Sequence, residues 1–249
     1  MSVHHQAAAG FAAGADAYER GRPGYPPEAV AWVVGALEVD GRSTVVDLAS
    51  GTGKLTAPLL PTGAQVVAVE PVGPMRARLT VAVPGAEVVA GTAEALPLGP
   101  ATIDAITVGQ AFHWFRAGDA LAEAARVLRR GGGLAVLRNQ RDESVPWVAE
   151  LSRLIGWHRR EVPRFSEPGL AGAVDATGAF TSLRRRRFDH AQELDTETLV
   201  DRVASVSFVA VLEEGERADL LARVRRLARG LPDRFTLPYR AHVVWCRRR

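Results

Sequence analysis

The chain has 249 residues, 47% of them hydrophobic, which is enough for one α/β domain with an elaboration or for two small domains. Its formal net charge of +3 is only a weak indication of a nucleic-acid partner. No run of about 18 apolar residues occurs, and no basic segment leads into an apolar one at the N-terminus, so we expect neither a membrane span nor a secretory signal. The single cysteine, Cys246, cannot form an internal disulfide and suits a reducing, cytoplasmic location.

Strands and helices alternate over the first 140 residues. Residues 1–15 lack such a pattern and are predicted to be a flexible N-terminus, with one folded domain over 16–249. The predicted elements are helix 26–37, strand 45–48, helix 54–61, strand 65–69, helix 74–82, strand 87–90, strand 103–108, helix 117–130 closed by Gly131, and strand 134–137. This order predicts an α/β fold with a doubly wound, mostly parallel sheet.

The pattern loosens after residue 145. We predict helices 147–160, 169–178, 195–206 and 216–229, and strands 180–189 and 239–247, which complete a seven-stranded sheet. Asp195 is placed to cap the third of these helices. Two helical ranges, about 145–178 and 195–230, are predicted to form a small lid inserted before the last strand.

The first strand leads into a glycine loop, Leu48-Ala49-Ser50-Gly51-Thr52-Gly53-Lys54. Glycines at 51 and 53 allow sharp bends and a close approach of backbone to a ligand. A helix starting near Lys54 would offer free N–H groups there. In a strand-turn-helix unit this geometry places a ligand at the carboxyl end of the strand, and a side chain at either glycine would fill the ligand's space.

Two familiar phosphate loops do not fit this stretch. A Walker A loop requires glycine and serine or threonine where this chain has Leu48 and Leu55. A dinucleotide loop requires a third glycine where this chain has Thr56, which also disfavours an NAD-dependent oxidoreductase. A glycine turn without any ligand remains the structural alternative.

An acid follows the second strand at the spacing that a nucleoside site would require. Glu70 lies 17 residues after Gly53, where a carboxylate could accept both hydroxyls of a ribose. The alternative is an acid that simply starts the next helix.

Four motifs in order resemble the class I S-adenosylmethionine (SAM)-dependent methyltransferases: the glycine loop, Glu70, the segment Gly91–Leu98, and Ile103–Trp114 followed by Ala125–Gly132. The segment around Tyr18–Pro26 and the segment Gln110–Phe115 are similar to small-molecule methyltransferases of the trans-aconitate methyltransferase type. In this family Ala49 is more often glycine, and the substitution costs little if its φ is negative. An acid is frequent at Thr92, so adenine recognition here would rest on the Ala93 N–H, whereas Glu94 could equally be a helix-start acid.

The resemblance implies that SAM is the cofactor and S-adenosylhomocysteine the product. The residues that it places at SAM are Tyr18, Arg22, Asp47, Ala49, Ser50, Gly51, Gly53, Glu70, Pro71, Thr92, Ala93, Glu94, Gln110, His113 and Trp114. Tyr18 and Arg22 are predicted to hold the methionine end, where a guanidinium would pair with the carboxylate.

The acceptor is predicted to be a small molecule methylated on oxygen or carboxylate. Predicted acceptor contacts are Tyr25, Trp114, Asn139 and Arg141. His113 is the candidate general base, because imidazole titrates near neutrality, although it could instead line the SAM pocket.

Two other functions remain open, namely a nucleic-acid methyltransferase and a SAM-binding protein without methyl transfer. The nucleic-acid reading is disfavoured because the basic residues, such as Arg184–Arg187, are not interleaved with aromatic ones in the sequence. No spacing of His, Cys, Asp and Glu suggests a metal site. We expect a monomer or homodimer.

Overall fold

Within the described residues, seven strands form a single sheet in the order β3-β2-β1-β4-β5-β7-β6. The computed structural model describes residues 21–156 and 165–249, so the predictions for residues 1–15 and for Tyr18 lie outside the described residues. The strands are β1 (Thr44–Leu48), β2 (Gln65–Val69), β3 (Glu87–Val89), β4 (Ile103–Gly109), β5 (Leu128–Arg141), β6 (Arg184–Leu194) and β7 (Phe235–Arg247). The neighbouring pairs from β3 to β5 are parallel, and one antiparallel hairpin completes the sheet. The predicted α/β, mostly parallel fold is confirmed.

Helices connect the strands and account for most of the remaining described residues. The α-helices are α1 (Pro27–Leu37), α2 (Gly73–Ala82), α3 (Ala117–Val127), α4 (Pro146–Ile155), α5 (Glu167–Thr177), α6 (Thr196–Ala204), α7 (Ser207–Ala210) and α8 (Glu214–Ala228). Two short 3-10 helices span Ala57–Thr62 and Phe112–Trp114. The side chain of Asp195 caps α6 as predicted, since it accepts a hydrogen bond from the Thr198 N–H.

The central strands are apolar because both of their faces are covered. Val46 in β1 pairs with Val67 of β2 on one side and with Ile106 of β4 on the other, and all three are buried. Parallel strands covered on both faces read as continuous apolar runs rather than alternating ones. This explains why the strands could be located from the sequence.

Two predicted helices differ from the structure. The helix predicted from Lys54 is a 3-10 helix over Ala57–Thr62, in which Pro61 lacks the N–H that an α-helix would use. The helix predicted to end at Gly131 ends at Val127, and β5 begins at once with Leu128. Gly131 therefore caps no helix; its N–H donates to the Arg248 carbonyl.

The described residues divide into two compact units. The sheet unit comprises 24–139, 165–188 and 241–249, and the helical unit comprises 21–23, 140–156 and 189–240. In the helical unit, α4, α6 and α8 pack around their own apolar core. Helix α5 belongs to the sheet unit and packs with α3, so the range 145–178 predicted as part of a lid is divided between the two units. Among the described residues, no helix has the length and hydrophobicity required to cross a bilayer.

Candidate active site

The glycine loop after β1 has an unusual backbone. Ala49, Gly51 and Gly53 adopt φ angles of +54°, +60° and +93°. The two glycines accept this left-handed conformation without steric cost. The condition under which alanine at this position would cost little, a negative φ, is not met, and the conformation of Ala49 costs about 1–2 kcal/mol relative to an ordinary one.

Gly53 is constrained by the protein interior. A Cβ added there would lie 2.5 Å from Leu79 Cδ1 and 2.6 Å from Val83 Cγ2, both on buried side chains. The space that a side chain at Gly53 would fill thus belongs to the packing of α2, which corrects the reason given from the sequence. Gly53 is required by its φ angle and by this close contact.

The buried side chain of Asp47 helps to fix the glycine loop in place. Its carboxylate is fully buried and accepts hydrogen bonds from Thr56 Oγ1 at 2.6 Å and from Thr107 Oγ1 at 3.1 Å. Burial raises the pKa of Asp47 to about 7, although the two hydroxyls act in the opposite direction. The threonine that breaks the dinucleotide pattern is thus the partner of the acid that precedes the loop.

Glu70 connects the end of β2 to the glycine loop. Its Oε2 accepts the Gly51 N–H and its Oε1 accepts the Val72 N–H, both at 2.8 Å. Burial raises the pKa of Glu70 above its ordinary value, against the effect of these two N–H groups. A carboxylate has about four acceptor sites, so two remain for a ligand.

The neighbouring residues complete the walls around Glu70. The Arg76 guanidinium donates to the carbonyls of Glu70 and Pro71, at 2.9 and 2.7 Å, and so fixes the backbone after β2. The Ser50 N–H donates to the Val69 carbonyl at 3.2 Å. The loops after β1 and β2 are therefore bonded to each other before any ligand is considered.

The loop after β3 is a tight turn fastened to α3. Thr92 and Ala95 form an isolated antiparallel bridge, with Ala93 buried between them. Glu94 accepts the N–H of Arg116, the residue that precedes α3, at 2.9 Å. Glu94 therefore binds the backbone just before a helix that is distant in sequence, and both of its predicted roles stay predictions.

The residues after β4 and β5 meet through hydrogen bonds. Gln110, whose φ is +59°, donates from Nε2 to the Asn139 carbonyl at 2.9 Å. The Asn139 amide donates to the Gly24 carbonyl at 2.8 Å, and a Cβ on Gly109 would lie 2.5 Å from the Tyr25 hydroxyl. Gln110, Tyr25 and Asn139, predicted separately as cofactor or acceptor contacts, thus form one cluster.

Comparisons with known proteins support the resemblance to methyltransferases. Residues 46–136 match the family described as "Methyltransferase domain". An uncharacterized methyltransferase of Mycobacterium tuberculosis is 40% identical over 217 residues, covering 87% of this chain and 84% of its own. A methyltransferase-like protein of Schizosaccharomyces pombe, also uncharacterized, is 32% identical over 216 residues, covering 86% of this chain and 84% of its own.

The chain belongs to the class I SAM-dependent methyltransferases. Among solved structures, a presumed type II methyltransferase of Anaeromyxobacter dehalogenans has a TM-score of 0.64 at 24% identity and covers 91% of this chain and 97% of its own. The Streptomyces coelicolor geranyl diphosphate C-methyltransferase, solved with S-adenosyl-L-homocysteine, has a TM-score of 0.51 at 13% identity and covers 89% and 79%. These two likenesses concern the fold.

The methyltransferase also has buried polar atoms that suit a nucleoside. The hydroxyls of Thr52 and Thr92 are buried and have no hydrogen-bond partner among the described residues. Both lie in loops predicted to hold SAM, and a buried hydroxyl normally has a partner. Together with the two open acceptor sites of Glu70, they fit a ligand rich in hydroxyl and amino groups.

His113 and Trp114 lie on the 3-10 helix of the methyltransferase after β4. Their ring centroids are 4.9 Å apart with an interplanar angle of 41°, and both side chains are partly exposed. This pairing fits either proposed role of His113. Within the described residues, no three His, Cys, Asp or Glu side chains are arranged to hold a metal, and the absence of a metal requirement stays a prediction.

The remaining predicted contacts, Arg22 and Arg141, belong to the helical unit. Arg22 donates to Ser205 Oγ and to the Ser205 carbonyl, each at 3.0 Å, so part of its guanidinium supports the end of α6. Arg141 is the last residue of β5 rather than part of a following loop. Their roles toward SAM and the acceptor stay predictions.

Four side chains with structural roles in the described residues were not predicted from the sequence. Thr56 and Thr107 hold Asp47, while Arg202 and Tyr239 form a buried pair in the helical unit. Arg202 had a detectable signal, since it lies three residues after Leu199 on the apolar face of α6, where an arginine is unexpected.

Proposed function

We propose that this methyltransferase transfers the methyl group of SAM to a small-molecule acceptor, at an oxygen or a carboxylate, and releases S-adenosylhomocysteine. The observation that carries the proposal is the bond between Glu70 and Gly51, which joins the predicted ribose acid to the predicted nucleoside loop. A plain helix-start acid has no need to contact a loop 19 residues earlier.

When bound, SAM supplies a methyl group on a sulfonium, which a nucleophile displaces in line. The protein's task is then mainly to hold the acceptor atom about 3–3.5 Å from that methyl and to exclude water. Glu70 would bind the ribose, and the Thr92–Ala93 turn would bind the adenine. Gln110 would line the cofactor site. The cluster of Tyr25 and Asn139 would position the acceptor.

A carboxylate acceptor needs no base, whereas an alcohol does. We expect His113→Asn to weaken SAM binding while turnover at saturating SAM is retained, because the role proposed for His113 is to line the SAM pocket beside Trp114. A drop in turnover of about 10²–10⁴-fold at unchanged SAM affinity would instead identify His113 as the general base.

The first experiment is a calorimetric titration with SAM, followed by a metabolite screen that detects release of S-adenosylhomocysteine. Binding together with release on a small acceptor supports the proposal. Binding without release on any acceptor would favour a SAM-binding protein that does not transfer methyl groups. Absence of SAM binding would contradict the proposal as a whole.

One structural observation bears on the nucleic-acid alternative. Arginines and aromatic rings that are apart in the sequence meet on the sheet unit, where Arg184 and Arg247 lie 5.4 and 5.6 Å from the Trp245 ring centroid. Trp245 is nevertheless only 9% exposed, so the ring is covered and not open for a base to stack on. A filter-binding assay with bulk RNA and DNA over a range of salt concentrations tests this alternative.

A further inference from the structure

The helical unit contains an arginine in an environment that is unusual for a charge. Arg202 lies on α6 and is only 7% exposed. Its Nε donates to the Tyr239 hydroxyl at 3.1 Å, but its Nη1 is buried and has no acceptor among the described residues. Arginine is almost never this buried without a partner.

A second arginine adds to the same buried charge. The Nη1 of Arg141 is also buried and has no acceptor in the described part of the chain. Arg141 lies beside the Arg202–Tyr239 pair, because the next residue, Asp142, donates its N–H to the carbonyl of Pro238, which precedes Tyr239, at 2.9 Å. Burial, together with repulsion from Arg202, lowers the pKa of Arg141 to about 10. Arg141 remains charged at neutral pH, because a pKa of about 10 is still far above 7.

The surroundings contain little to balance this charge. No described carboxylate forms an ion pair with Arg141 or Arg202, and the one acid that attracts Arg141 electrostatically, Glu143, is exposed. Tyr239 is 1% exposed and uses its oxygen to accept the bond from Arg202, which leaves its own hydrogen to donate. The His190 ring stacks on Tyr239 with a centroid distance of 5.4 Å and an interplanar angle of 23°.

The local packing holds Arg202 in place. A Cβ on Gly21 would lie 2.4 Å from the Arg202 backbone nitrogen, so the two backbones are in direct contact. Arg22, the next residue, donates to Ser205 at the end of the same helix. These contacts fix the backbone that carries Arg202 and do not involve its guanidinium group.

We propose that Arg141, Arg202 and Tyr239 form an oxyanion-binding site that takes a carboxylate or phosphate group of a small molecule. Guanidinium groups bind both anions through paired N–H donors, and the tyrosine hydroxyl supplies a third donor group. Identifying this anion as part of the methyl acceptor rests on the proposed function, whereas anion binding itself does not.

The test is a thermal-unfolding series of the full chain in a non-coordinating buffer, with inorganic phosphate or succinate as the probe. Sodium chloride at equal ionic strength controls for charge screening. We expect phosphate, succinate or both to raise the melting temperature beyond the chloride control, because a ligand that binds only the folded state stabilises it. The stronger of the two probes indicates whether the site suits phosphate or carboxylate.

Two variants assign the effect to this site. Arg141→Met removes one buried cation, and we expect it to weaken the probe's apparent affinity at least about tenfold. Arg153→Met is the matched control, since it removes one positive charge from an exposed ion pair with Glu150 on α4 and should respond like wild type. If Arg141→Met does not fold, Arg202→Lys replaces it, with weaker binding expected because lysine loses the paired donors.

The proposal is overturned if the wild-type protein gains nothing beyond chloride, or if Arg141→Met gains as much as wild type. A SAM titration on the same samples separates this result from the proposed function. If the wild-type protein does not bind SAM, the proposed function is contradicted and the anion-binding result is unaffected. If SAM binds but neither anion stabilises the protein, the anion-binding proposal is contradicted and the proposed function is unaffected.

Discussion

The sheet unit and the helical unit treat buried charge in opposite ways. In the sheet unit the buried carboxylates have donors from the chain itself, since Asp47 accepts from two threonines and Glu70 from two backbone N–H groups. In the helical unit, Arg141 and Arg202 each keep a buried nitrogen without an acceptor among the described residues.

This difference distinguishes the glycine loop, whose supporting carboxylates are paired within the protein, from the arginine pair, which keeps unpaired donors among the described residues. The glycine loop is held in shape by bonds to Glu70 and Asp47, so a ligand would meet a preorganised surface. Each arginine of the pair keeps one buried nitrogen without an acceptor among the described residues, and an anion would supply that acceptor. The following predictions concern the glycine loop of the sheet unit and the residues that hold it, from the largest expected effect to the smallest.

Gly53→Val should have the largest effect. A side chain there combines a φ of +93° with contacts below 3 Å to Leu79 and Val83. We expect a loss of about 3–5 kcal/mol in the free energy of unfolding, the sum of backbone strain and overpacking. Urea denaturation measures it, with Gly172→Ala as a control, since nothing lies within 4 Å of a Cβ at that position. A stable variant that merely fails to bind SAM would restore the reason given from the sequence.

Asp47 predicts a pH dependence of stability. Its pKa is raised from 3.8 to about 7 in the folded protein, so the folded state holds this proton more tightly than the unfolded chain. The contribution is complete below pH 3.8 and is lost as pH rises to about 7, a change of up to ~4 kcal/mol.

The measurement is the free energy of unfolding between pH 4 and 8 for wild type and Asp47→Asn. The variant should lose this downward slope, because an amide does not titrate. Thr107→Val, which removes a donor to the ionised carboxylate, should extend the slope to higher pH. Parallel curves for wild type and Asp47→Asn would show that Asp47 ionises normally.

Glu70→Ala should weaken SAM binding by about 1.5–3 kcal/mol, the range for hydrogen bonds to a charged group. It also leaves the Gly51 and Val72 N–H groups without their acceptor, so we expect some loss of stability in the absence of SAM. Glu70→Gln retains one acceptor oxygen, so its SAM affinity should lie between those of wild type and Glu70→Ala. Calorimetry with SAM decides: a loss below about 0.5 kcal/mol would mean that Glu70 does not hold the ribose.

Ala49→Gly should have the smallest effect, and in the stabilising direction. Glycine removes the cost of the φ of +54° but gives the unfolded chain more freedom, which leaves a net gain of about 0.5–1 kcal/mol. Ala120→Gly, in the interior of α3, is the control and should lose about 1 kcal/mol. Equal losses in both variants would show that Ala49 carries no strain in solution.

Most of the sheet could be predicted from the sequence because its signals are local. Apolar runs such as Val66–Val69 are long enough to indicate buried strands, and Glu70 follows from its spacing to Gly53. The end of α3 was mistaken because two arginines and a glycine, a usual helix ending, here begin β5. Tertiary pairing with Arg248 overrode that local signal.

The contacts that define the site were less predictable, since they join residues far apart in the chain. Nothing in the sequence around Thr107 indicates that it bonds Asp47, 60 residues earlier. The contacts that an added side chain at Gly53 would make likewise depend on α2, which follows later in the chain. Arg202 could have been noticed on an apolar helix face, but its proximity to Arg141, itself a predicted acceptor contact, could not.

The fastening of the loop after β3 has a consequence for hydrogen exchange. Glu123 on α3 accepts the Leu96 N–H at 2.8 Å, and Arg126 on the same helix donates to the carbonyls of Leu96 and Leu98. A loop bound to one helix at several points opens only when that helix opens. The Leu96 amide should therefore exchange with solvent deuterium as slowly as the amides of α3, although it lies outside any regular element.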